Sequence, residues 1–528
     1  MPALFTGALQ IVCRHARKPP KPTHNPRIML LNLFSSPVPQ DYLRDESRKT
    51  GTAQGIVFPR SVDELTAALR EAAAAGQPIT VQGARTGIAA GAVPDGGLVV
   101  NLSKLEAILG FGTDSDGCPT LRVQPGVTLT ALRRHLSAAD RPCLFTPDPT
   151  ETSASIGGMA ACNASGACSF AYGPTRAHVA AMTVLLADGD RVTLRRGQAV
   201  AQGDHFALQT QSGRTVTGTL PHLTMPAVKN AAGYWVKPGM DLLDLFIGSE
   251  GTLGILAELE LRLSPKPAQT LGILCYFSDE NHALACVSAL REQARGAAPH
   301  TLAAIEYFDA DALRLIRSST AHTGLLLPAP QPHWKVALYL EWALAAQAPL
   351  PDALTSRVLA ACNGSAHDTW LAADAPTLEK LKAFRHAVPE QVNALIAERK
   401  LRHPDLTKLG TDLSVPDDRL TAVMRLYRDG LAEAGLEHVI FGHIGNNHVH
   451  VNILPRDMSE HAAGKRLVHA WAQQVVAWGG SVSGEHGIGR LKKELLHIMY
   501  GAEGIAGMRR LKACFDPENR LNPGRLFD

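Results

Sequence analysis

The sequence predicts an α+β protein built from more than one domain. Its 528 residues exceed what one ordinary hydrophobic core accommodates. From about Thr50 to Pro265, helix and strand patterns alternate, and beyond the segment Ser264-Pro-Lys-Pro267 strand patterns alternate with alanine-rich helices. Hydrophobic residues make up 45% and charged residues 19% of the chain, which is typical of a globular protein rather than a membrane-spanning one.

Local patterns place the first elements. Ser61-Val-Asp-Glu64 is a capping box that begins a helix, and Gly76 ends it. Pro78–Val81 reads as a strand that runs into a glycine-rich turn. The other predicted elements are a helix over Val127–Leu136 and strands over Leu98–Val100, Leu121–Val123, Thr270–Phe277, Thr301–Phe308 and Lys335–Trp342.

Composition excludes some classes of function. A formal net charge of +3 is small for this length, and the sparse aromatic residues do not interleave with basic clusters, so a nucleic-acid partner is not expected. Nine cysteines without CxxC spacing favour a reduced, cytoplasmic protein with free thiols.

The first 28 residues contain basic side chains but no acidic one, the bases being Arg14, Arg17, Lys18, Lys21 and Arg27. A transit peptide, a tail that touches a membrane and an unstructured extension all remain open, and Met29 could be the true start. The default expectation is a disordered or loosely packed extension over residues 1–45.

The segment Phe441–Asn452 carries the strongest chemical signal. Its alternating pattern predicts a strand that places His448, His450 and Asn452 on one face. A two-residue turn at Asn446-Asn447 would pair His443 with His450. Directly opposed residues have Cβ atoms roughly 4.5–5.5 Å apart, close enough for two imidazoles to bind one divalent ion.

A second segment supplies further candidate groups. Ser483-Gly-Glu-His-Gly-Ile-Gly489 offers Glu485 as a third ligand and His486 as a base. The alternative is a hairpin whose histidines only pack or form hydrogen bonds.

Glycine-rich turns between residues 83 and 175 indicate a large phosphate-bearing cofactor. No G-x-G-x-x-G follows a strand and no Walker lysine motif occurs, so a Rossmann site and a P-loop are not indicated. Glycine lets backbone N–H groups approach phosphate oxygens closely, and nearby hydroxyls add donors. The turns are Gly83–Gly87, Ser155–Gly158, Asn163–Gly166 and Tyr172–Thr175.

Together these motifs resemble a known family. Val81-Gln-Gly-Ala-Arg-Thr-Gly87, Pro147-Asp-Pro, Ser155-Ile-Gly-Gly, Asn163-Ala-Ser-Gly and Gly248-Ser-Glu-Gly-Thr-Leu-Gly254 resemble the PCMH-type FAD-binding domain of the vanillyl-alcohol-oxidase flavoproteins. Gly442-His-Ile-Gly, His448-Val-His-Val-Asn, Ser483–Gly489 and Phe515-Asp-Pro-Glu-Asn-Arg-Leu-Asn-Pro-Gly524 resemble its D-lactate, glycolate and D-2-hydroxyglutarate dehydrogenase branch. The likeness covers roughly residues 40–528.

The resemblance implies a domain plan. An FAD-binding domain of two α/β subdomains would cover residues 46–265, and an α+β substrate or cap domain would cover 266–480. A C-terminal segment, 481–528, would carry active-site residues and return to the flavin.

The resemblance also implies non-covalent FAD. The pyrophosphate would lie on Gly83, Ala84, Arg85, Thr86, Gly87, Ser155, Gly157 and Gly158. The remaining cofactor-binding residues would be Pro147, Asn163, Gly166, Tyr172, Gly173, Glu250, Gly251, Thr252, Ile255 and Asn522.

For the chemistry, the resemblance implies a divalent metal, Zn²⁺ by its ligand types, held by His443, His450 and Glu485. His486 would be the base. The substrate-binding residues would be Arg385, Asn452 and Lys408. Two segments depart from the branch, Leu409-Gly-Thr411 and Asn446-Asn-His448, where the latter replaces the more usual Asp-Gly-Asn. These departures leave the identity of the substrate open.

The expected function is therefore FAD-dependent oxidation of a D-2-hydroxy acid to its 2-keto acid. Electrons would pass to an electron-transfer flavoprotein, a quinone or a cytochrome. Two alternatives remain, an oxidase of another alcohol that uses O₂ and an FAD-binding subunit of a larger oxidoreductase. Peripheral membrane contact and a dimer also stay open.

Overall fold

The first sheet of the structure begins inside the segment that was expected to be an extension. The computed structural model describes residues 34–140, 142–294, 300–323, 331–345, 360 and 368–528, so residues 1–33 of the predicted extension lie outside the described ranges. Strand β1 (Phe34–Ser35) pairs antiparallel with β2 (Gly55–Val57). The described part of the predicted extension is therefore packed, because this strand pairing uses its backbone groups.

Helix α1 and two parallel strands complete this first subdomain. Strands β3 (Ile79–Gln82) and β4 (Leu98–Asn101) extend the sheet in the order β1-β2-β4-β3. Helix α1 (Val62–Ala74) begins at Ser61, whose hydroxyl accepts a hydrogen bond from the Glu64 N–H as the capping box predicts.

The second subdomain is an antiparallel sheet with short helices. Its strand order is β5-β6-β12-β8-β9. The sheet comprises β5 (Ile108–Thr113), β6 (Pro119–Val123), β8 (Val179–Leu185), β9 (Arg191–Arg195) and β12 (Ile255–Arg262). Around it lie α2 (Leu129–Ser137), α3 (Ile156–Ala161), α4 (Ser169–Tyr172), α5 (Leu243–Phe246), the hairpin β10 (His205–Gln209) with β11 (Thr215–Thr219), and the pair β7 (Cys143–Leu144) with β13 (Ser264–Pro265).

The second half of the chain is organised around one antiparallel sheet, in the order β17-β14-β16-β15-β19-β20-β18. Its strands are β14 (Gln269–Phe277), β15 (His300–Asp309), β16 (Val336–Leu344), β17 (Thr369–Ala372), β18 (Leu409–Gly410), β19 (His438–His443) and β20 (His448–Ile453). The helices are α6 (Glu280–Ala294), α7 (Ala310–Thr323), α8 (Ala375–Lys400), α9 (Leu420–Ala434), α10 (Met458–Ala477) and α11 (Lys493–Phe515). The three strands predicted in this half coincide with β14, β15 and β16.

The C-terminal segment returns to the first sheet. Leu521 forms a parallel bridge with Ile79 of β3. The Ile79 N–H donates to the Arg520 carbonyl at 2.8 Å, and the Asn522 N–H donates to the Ile79 carbonyl at 2.8 Å. The predicted α+β class is confirmed. In the described ranges, no helix is both long enough and apolar enough to cross a bilayer. In the same ranges, Cys118, Cys143, Cys162, Cys168 and Cys514 form no disulfide.

Candidate metal and flavin site

The histidine hairpin is formed by β19 and β20, and the two-residue turn predicted for it is wrong. Four residues, 444–447, connect the strands, so His443 lies opposite His448 and Phe441 lies opposite His450. This register differs from the predicted one by two residues. Because side chains alternate with a period of two, the shift keeps the three histidines on one face.

A buried arginine explains the longer turn. Asn447 closes a 3-10 turn in the left-handed conformation, with φ of 50°, and its N–H donates to the Ile444 carbonyl at 3.0 Å. The guanidinium of Arg291 on α6 donates to the Gly445 carbonyl at 3.0 Å and also to the Ile444 carbonyl and the Asn447 side-chain oxygen. These hydrogen bonds satisfy the Ile444 and Gly445 carbonyls of the four-residue turn. A two-residue turn would place those carbonyls differently.

The hairpin and the Glu485 segment together form a cluster of four candidate metal ligands, here called the histidine cluster: His443, His448, His450 and Glu485. One donor atom from each lies within 4.8 Å of the others. Glu485 Oε2 is 3.1 Å from His443 Nε2, 3.6 Å from His450 Nε2 and 4.0 Å from His448 Nδ1. The structure thus brings the three predicted metal ligands together and adds His448, which the sequence placed on the right face but not among the ligands.

Each imidazole is held from outside the cluster. His443 Nδ1 is 2.7 Å from Glu306 Oε1, His448 Nε2 is 2.9 Å from Asp412 Oδ1, and His450 Nδ1 is 3.2 Å from the Thr411 carbonyl. Ring N–H groups that donate outward leave the other ring nitrogen of each histidine directed at the centre, which is the usual arrangement around a bound metal.

Charge in the histidine cluster is divided unevenly. Burial alone would lower the pKa of His443, but the carboxylates of Glu306 and Glu485 raise it to about 9. Burial lowers the pKa of His448 to about 3 and also lowers that of His450. Burial would raise the pKa of Glu485, but His443 and Lys229 hold it well below its usual range. A divalent cation suits this site, because it can replace the proton of His443 next to an ionised carboxylate.

Lys229 and Ser165 complete the surroundings of Glu485. Lys229 Nζ lies 2.7 Å from Glu485 Oε1, and the Ser165 hydroxyl donates to the same oxygen at 3.0 Å. Oε1 is therefore occupied by protein donors, and Oε2 is the oxygen turned toward the three imidazoles.

Asp412 connects the cluster to the predicted base His486. It is almost completely buried and accepts hydrogen bonds from the Ser483 hydroxyl at 2.5 Å and from Lys492 Nζ at 2.7 Å. The backbone N–H of His486 donates to Asp412 Oδ2 at 3.1 Å, and the ring nitrogen Nδ1 of His486 lies 3.3 Å from Asp412 Oδ1. Burial would raise the pKa of Asp412, but the charges of His486 and Lys492 hold it well below its usual range.

His486 differs from the cluster histidines in its exposure. Its side chain is 30% exposed, whereas that of His450 is 13% exposed. The two rings stack with centroids 5.4 Å apart. His486 therefore lies at the open side of the histidine cluster, where a small substrate can reach it.

Sequence reasoning missed three residues around this centre: Glu306, Asp412 and Lys229. Glu306 lies on β15 and Asp412 follows β18, so neither is near its histidine partner in sequence. Only the pairing of β15 with β19 and of β18 with β20 brings them together. Asp412 lies two residues after the short strand β18, and this position alone does not indicate a function.

The glycine turns form a second candidate site. The Ser155 hydroxyl accepts hydrogen bonds from the Gly158 and Ala84 N–H groups, each at 3.3 Å, which joins two of the predicted turns. A Cβ at Gly83 would lie 2.2 Å from Ser155 Oγ, so a larger residue there would displace the hydroxyl that joins the two turns. The Gly157 N–H donates to the Pro125 carbonyl at 2.8 Å, so that amide already has a protein acceptor.

The segment 85–88, here called the open loop, has free donors. Arg85 adopts φ of 64° with its guanidinium 4.2 Å from the ring centre of Tyr42. Gly87 is exposed, and a Cβ there would meet nothing within 4 Å. The N–H groups of Thr86, Gly87 and Ile88 have no hydrogen-bond acceptor in the described part of the chain. Unpaired backbone donors beside open space fit the phosphate groups of FAD.

Two predicted flavin residues, Glu250 and Asn522, use their polar atoms to join segments. The Glu250 carboxylate accepts hydrogen bonds from the Ile488 and Gly489 N–H groups at 2.7 and 2.8 Å. The Asn522 amide donates to the Glu250 carbonyl at 2.7 Å and accepts from the Val81 N–H at 2.9 Å. They connect the Glu485–His486 segment to the strand that leads into the open loop, and their contact with FAD stays a prediction.

The other predicted flavin residues lie in the same domain. Asn163 (φ of 50°) accepts a hydrogen bond from the Arg176 N–H at 3.0 Å, and Thr252 donates to the Ser249 carbonyl at 2.6 Å. A Cβ at Gly166 would lie 1.8 Å from the Asp148 carbonyl oxygen. Ile255 is buried in the core, Gly251 and Gly173 adopt φ of 70° and 77°, Tyr172 ends α4, and Pro147 precedes Asp148. Their roles in FAD binding stay predictions.

The three predicted substrate residues are placed differently. Arg385 is buried on α8, with its guanidinium 3.5 Å from Asp148 Oδ2. Burial alone would lower the pKa of Arg385, but the carboxylates of Asp148 and then of Glu306, the outer partner of His443, raise it. Asn452 is buried opposite Gly410, where a Cβ would lie 3.3 Å from its Oδ1. Lys408 has its pKa lowered by burial and by the charge of Arg48, and the groups of the histidine cluster do not contribute to that shift.

The chain was compared with known proteins. Residues 53–195 match a family model described as an FAD binding domain, and residues 266–526 match the C-terminal domain of FAD linked oxidases. The chain is 29% identical over 508 residues to a D-lactate dehydrogenase of Anaerostipes hadrus, covering 94% of both chains. It is 30% identical over 498 residues to a D-2-hydroxyglutarate dehydrogenase of Xanthomonas citri pv. viticola, covering 93% of this chain and 92% of the relative.

A solved structure shares the fold. Alkyldihydroxyacetonephosphate synthase superposes with a TM-score of 0.62 at 17% identity, covering 98% of this chain and 88% of the other. Both matched domains, the two long relatives and the shared fold lead to one assignment: the chain belongs to the FAD-linked oxidoreductase family that includes D-lactate and D-2-hydroxyglutarate dehydrogenases.

Proposed function

We propose that this protein oxidises a D-2-hydroxy acid to the 2-keto acid, with FAD as the hydride acceptor and a divalent metal, Zn²⁺ by its ligand types, orienting the substrate. The observation that carries the proposal is the histidine cluster with His486 at its open side. The names of the two relatives support the substrate class.

When bound, the metal would polarise the hydroxyl and anchor the carboxylate of the substrate, and the flavin would take the hydride from C2. His443, His450 and Glu485 would hold the metal, because their donor atoms converge from three directions while His443 and His450 are fixed by outer partners. The open loop would hold the FAD pyrophosphate through its unpaired N–H groups.

His486 would take the proton of the substrate hydroxyl. Its Nδ1 faces the buried carboxylate of Asp412, so Nδ1 carries the hydrogen and Nε2 is left as the proton acceptor. Asp412 also fixes the backbone of the same residue. The carboxylate therefore selects both the tautomer and the orientation of the base.

Arg385 and Asn452 would position the rest of the substrate. A guanidinium can bind a carboxylate through two parallel N–H groups, and Arg385 holds its own partner Asp148 at 3.5 Å, a long contact that leaves donors free. Asn452 lies on the strand that carries His450. Lys408 would act only on a longer substrate, since its pKa is shifted by burial and by Arg48 and not by the groups of the histidine cluster.

The test is the variant His486→Ala. We expect FAD to stay bound while bleaching of the flavin by D-lactate, glycolate or D-2-hydroxyglutarate is lost. His469→Ala is the matched control, because that histidine lies on the exposed face of α10 beside Glu494. Unchanged bleaching in His486→Ala would show that His486 is not the base.

Two measurements address the acceptor and the rival functions. An oxidase would release hydrogen peroxide in air at the rate of substrate oxidation, whereas the proposed dehydrogenase would need an electron-transfer flavoprotein, a quinone, a cytochrome or an artificial acceptor. A subunit without its own turnover would bind FAD, but D-lactate, glycolate and D-2-hydroxyglutarate would not bleach the flavin.

A further inference from the structure

His448 has one ring nitrogen with a partner and one without. Its side chain is completely buried, and Nε2 lies 2.9 Å from Asp412 Oδ1. Nδ1 has no hydrogen-bond partner in the part of the chain that the structure covers, although it is buried. It lies 4.0 Å from Glu485 Oε2, on the inner side of the histidine cluster.

Hydrogen bonding fixes the tautomer of this ring. Asp412 already accepts from the Ser483 hydroxyl, Lys492 Nζ and two backbone N–H groups, so it is an ionised acceptor. Nε2 of His448 must therefore carry the hydrogen, and Nδ1 must present its lone pair. A neutral imidazole that donates to a carboxylate through one nitrogen is the usual form of a metal-bound histidine.

The backbone also holds the ring in place. A Cβ at Gly484 would lie 2.8 Å from Nε2 and Cδ2 of His448, so the backbone segment carrying Glu485 lies directly against the imidazole. The ring is thus clamped between Gly484 and Asp412 and cannot turn its lone pair toward solvent. A buried lone pair that faces three other ligands lacks a partner unless a cation supplies one.

We propose that His448 is a fourth protein ligand of the metal, bound through Nδ1. The inference rests on the proposed function and enlarges its ligand set of His443, His450 and Glu485. It concerns a position where this chain departs from the motif of the family it resembles, which carries asparagine there.

A set of three imidazoles and one carboxylate has a chemical consequence. Imidazole favours zinc, cobalt, nickel and iron, whereas magnesium, calcium and manganese favour oxygen ligands. The extra nitrogen should therefore raise the selectivity for Zn²⁺ over Mn²⁺ and slow the loss of the metal. Substrate would bind by expanding the coordination number beyond four, as catalytic zinc sites can do.

The experiment compares FAD-loaded wild type with His448→Asn. X-ray absorption of the Zn²⁺-loaded proteins should count three imidazoles in the wild type and two in the variant. Competition with a chromophoric chelator should give a Zn²⁺ affinity at least tenfold lower for the variant, at unchanged FAD content. His461→Asn is the matched control, because that histidine is buried on α10, bonds to Thr407 and should leave both values unchanged.

The outcomes separate this inference from the proposed function. Two imidazoles in the wild type, or an affinity of His448→Asn within twofold of the wild type, would overturn the role of His448 while leaving the metal-dependent reaction intact. Wild-type protein that binds no divalent ion would overturn both. The number of imidazole ligands in the wild type is measured without any variant. It therefore tests the inference even if His448→Asn fails to fold.

Discussion

The histidine cluster and the open loop solve two binding problems in opposite ways. In the cluster, side chains supply the ligands and outer groups fix each imidazole, as Glu306 does for His443 at 2.7 Å. In the open loop, backbone N–H groups face open space beside Gly87 and have no acceptor among the residues that the structure describes. A small ion with strict geometry demands preorganised side chains, whereas an extended pyrophosphate needs accessible backbone. The two regions should therefore fail through different kinds of substitution.

The largest effect is expected for Glu485→Gln. The change removes the only carboxylate of the cluster and leaves Lys229, at 2.7 Å, without its counter-charge. Because metal polarisation contributes several kcal/mol to such reactions, substrate-dependent flavin reduction should fall by roughly 1,000-fold or more. Stopped-flow bleaching and metal content measure this, with FAD content unchanged.

The matched control for that variant is Glu494→Gln, whose side chain is 82% exposed and meets His469 at the surface. If Glu485→Gln keeps stoichiometric metal and full flavin bleaching, Glu485 is not a metal ligand. The contrast between the histidine cluster and the open loop would then be wrong.

The open loop should respond to Gly87→Val. Space is available for the side chain, so the free energy of unfolding of the FAD-free protein should not change. A branched side chain would block approach to the N–H groups, and two lost hydrogen bonds to a charged phosphate, at about 1.5 kcal/mol each, weaken FAD binding by roughly 100-fold. Fluorescence titration with FAD gives the affinity.

Metal content serves as the internal reference for Gly87→Val, and Gly87→Ala should show a smaller effect in the same direction. Equal FAD affinity for the wild type and both variants would mean that the pyrophosphate lies elsewhere.

An intermediate effect is expected for Glu306→Gln. The amide keeps the shape of the side chain but not its charge, so the outward hydrogen bond of His443 weakens. Loss of such an outer partner lowers metal affinity by about 10–100-fold. FAD affinity should remain at the wild-type value, since Glu306 lies on β15 and not in the glycine turns.

Chelator competition at fixed pH tests this variant, and Glu390→Gln is the matched control because that side chain is exposed on α8. A metal affinity within twofold of the wild type would show that His443 is oriented without Glu306.

The smallest effect is expected for Glu250→Gln, at the junction of the two regions. An amide has one acceptor oxygen, so either the Ile488 or the Gly489 N–H loses its partner. The free energy of unfolding should fall by about 1–3 kcal/mol, with modest losses in both FAD and metal binding. Denaturant unfolding measures it, and an unchanged midpoint would mean that the junction does not hold the segments together.

Sequence patterns predicted the elements better than their contacts. The strands β14, β15 and β16 and the helix α1 follow from apolar periodicity and a capping box, because those signals are local. The hairpin register does not follow from local signals, because Arg291 on α6 stabilises the four-residue turn from 154 residues away. That interaction is tertiary and leaves no mark in the hairpin itself.

The candidate site shows the same division. His443, His450, Glu485 and the glycine turns are visible as residue types at suggestive spacings. Asp412 and Glu306 become partners only through strand pairing, and the burial that lowers the pKa of His448 to about 3 depends on the whole core. The alternating pattern placed His448 on the same face as His450, but the predicted set of metal ligands did not include it.

The bridge between Ile79 and Leu521 also governs how the protein is made. β3 is the edge strand of its sheet in the described ranges, and residues 520–522 cover its outer edge. During synthesis, the first sheet emerges from the ribosome more than 400 residues before its final partner. Nascent chains therefore carry an unprotected strand edge for most of translation, which is a surface that recruits other chains. A premature stop shortly before Arg520 should yield aggregation rather than a weakened enzyme.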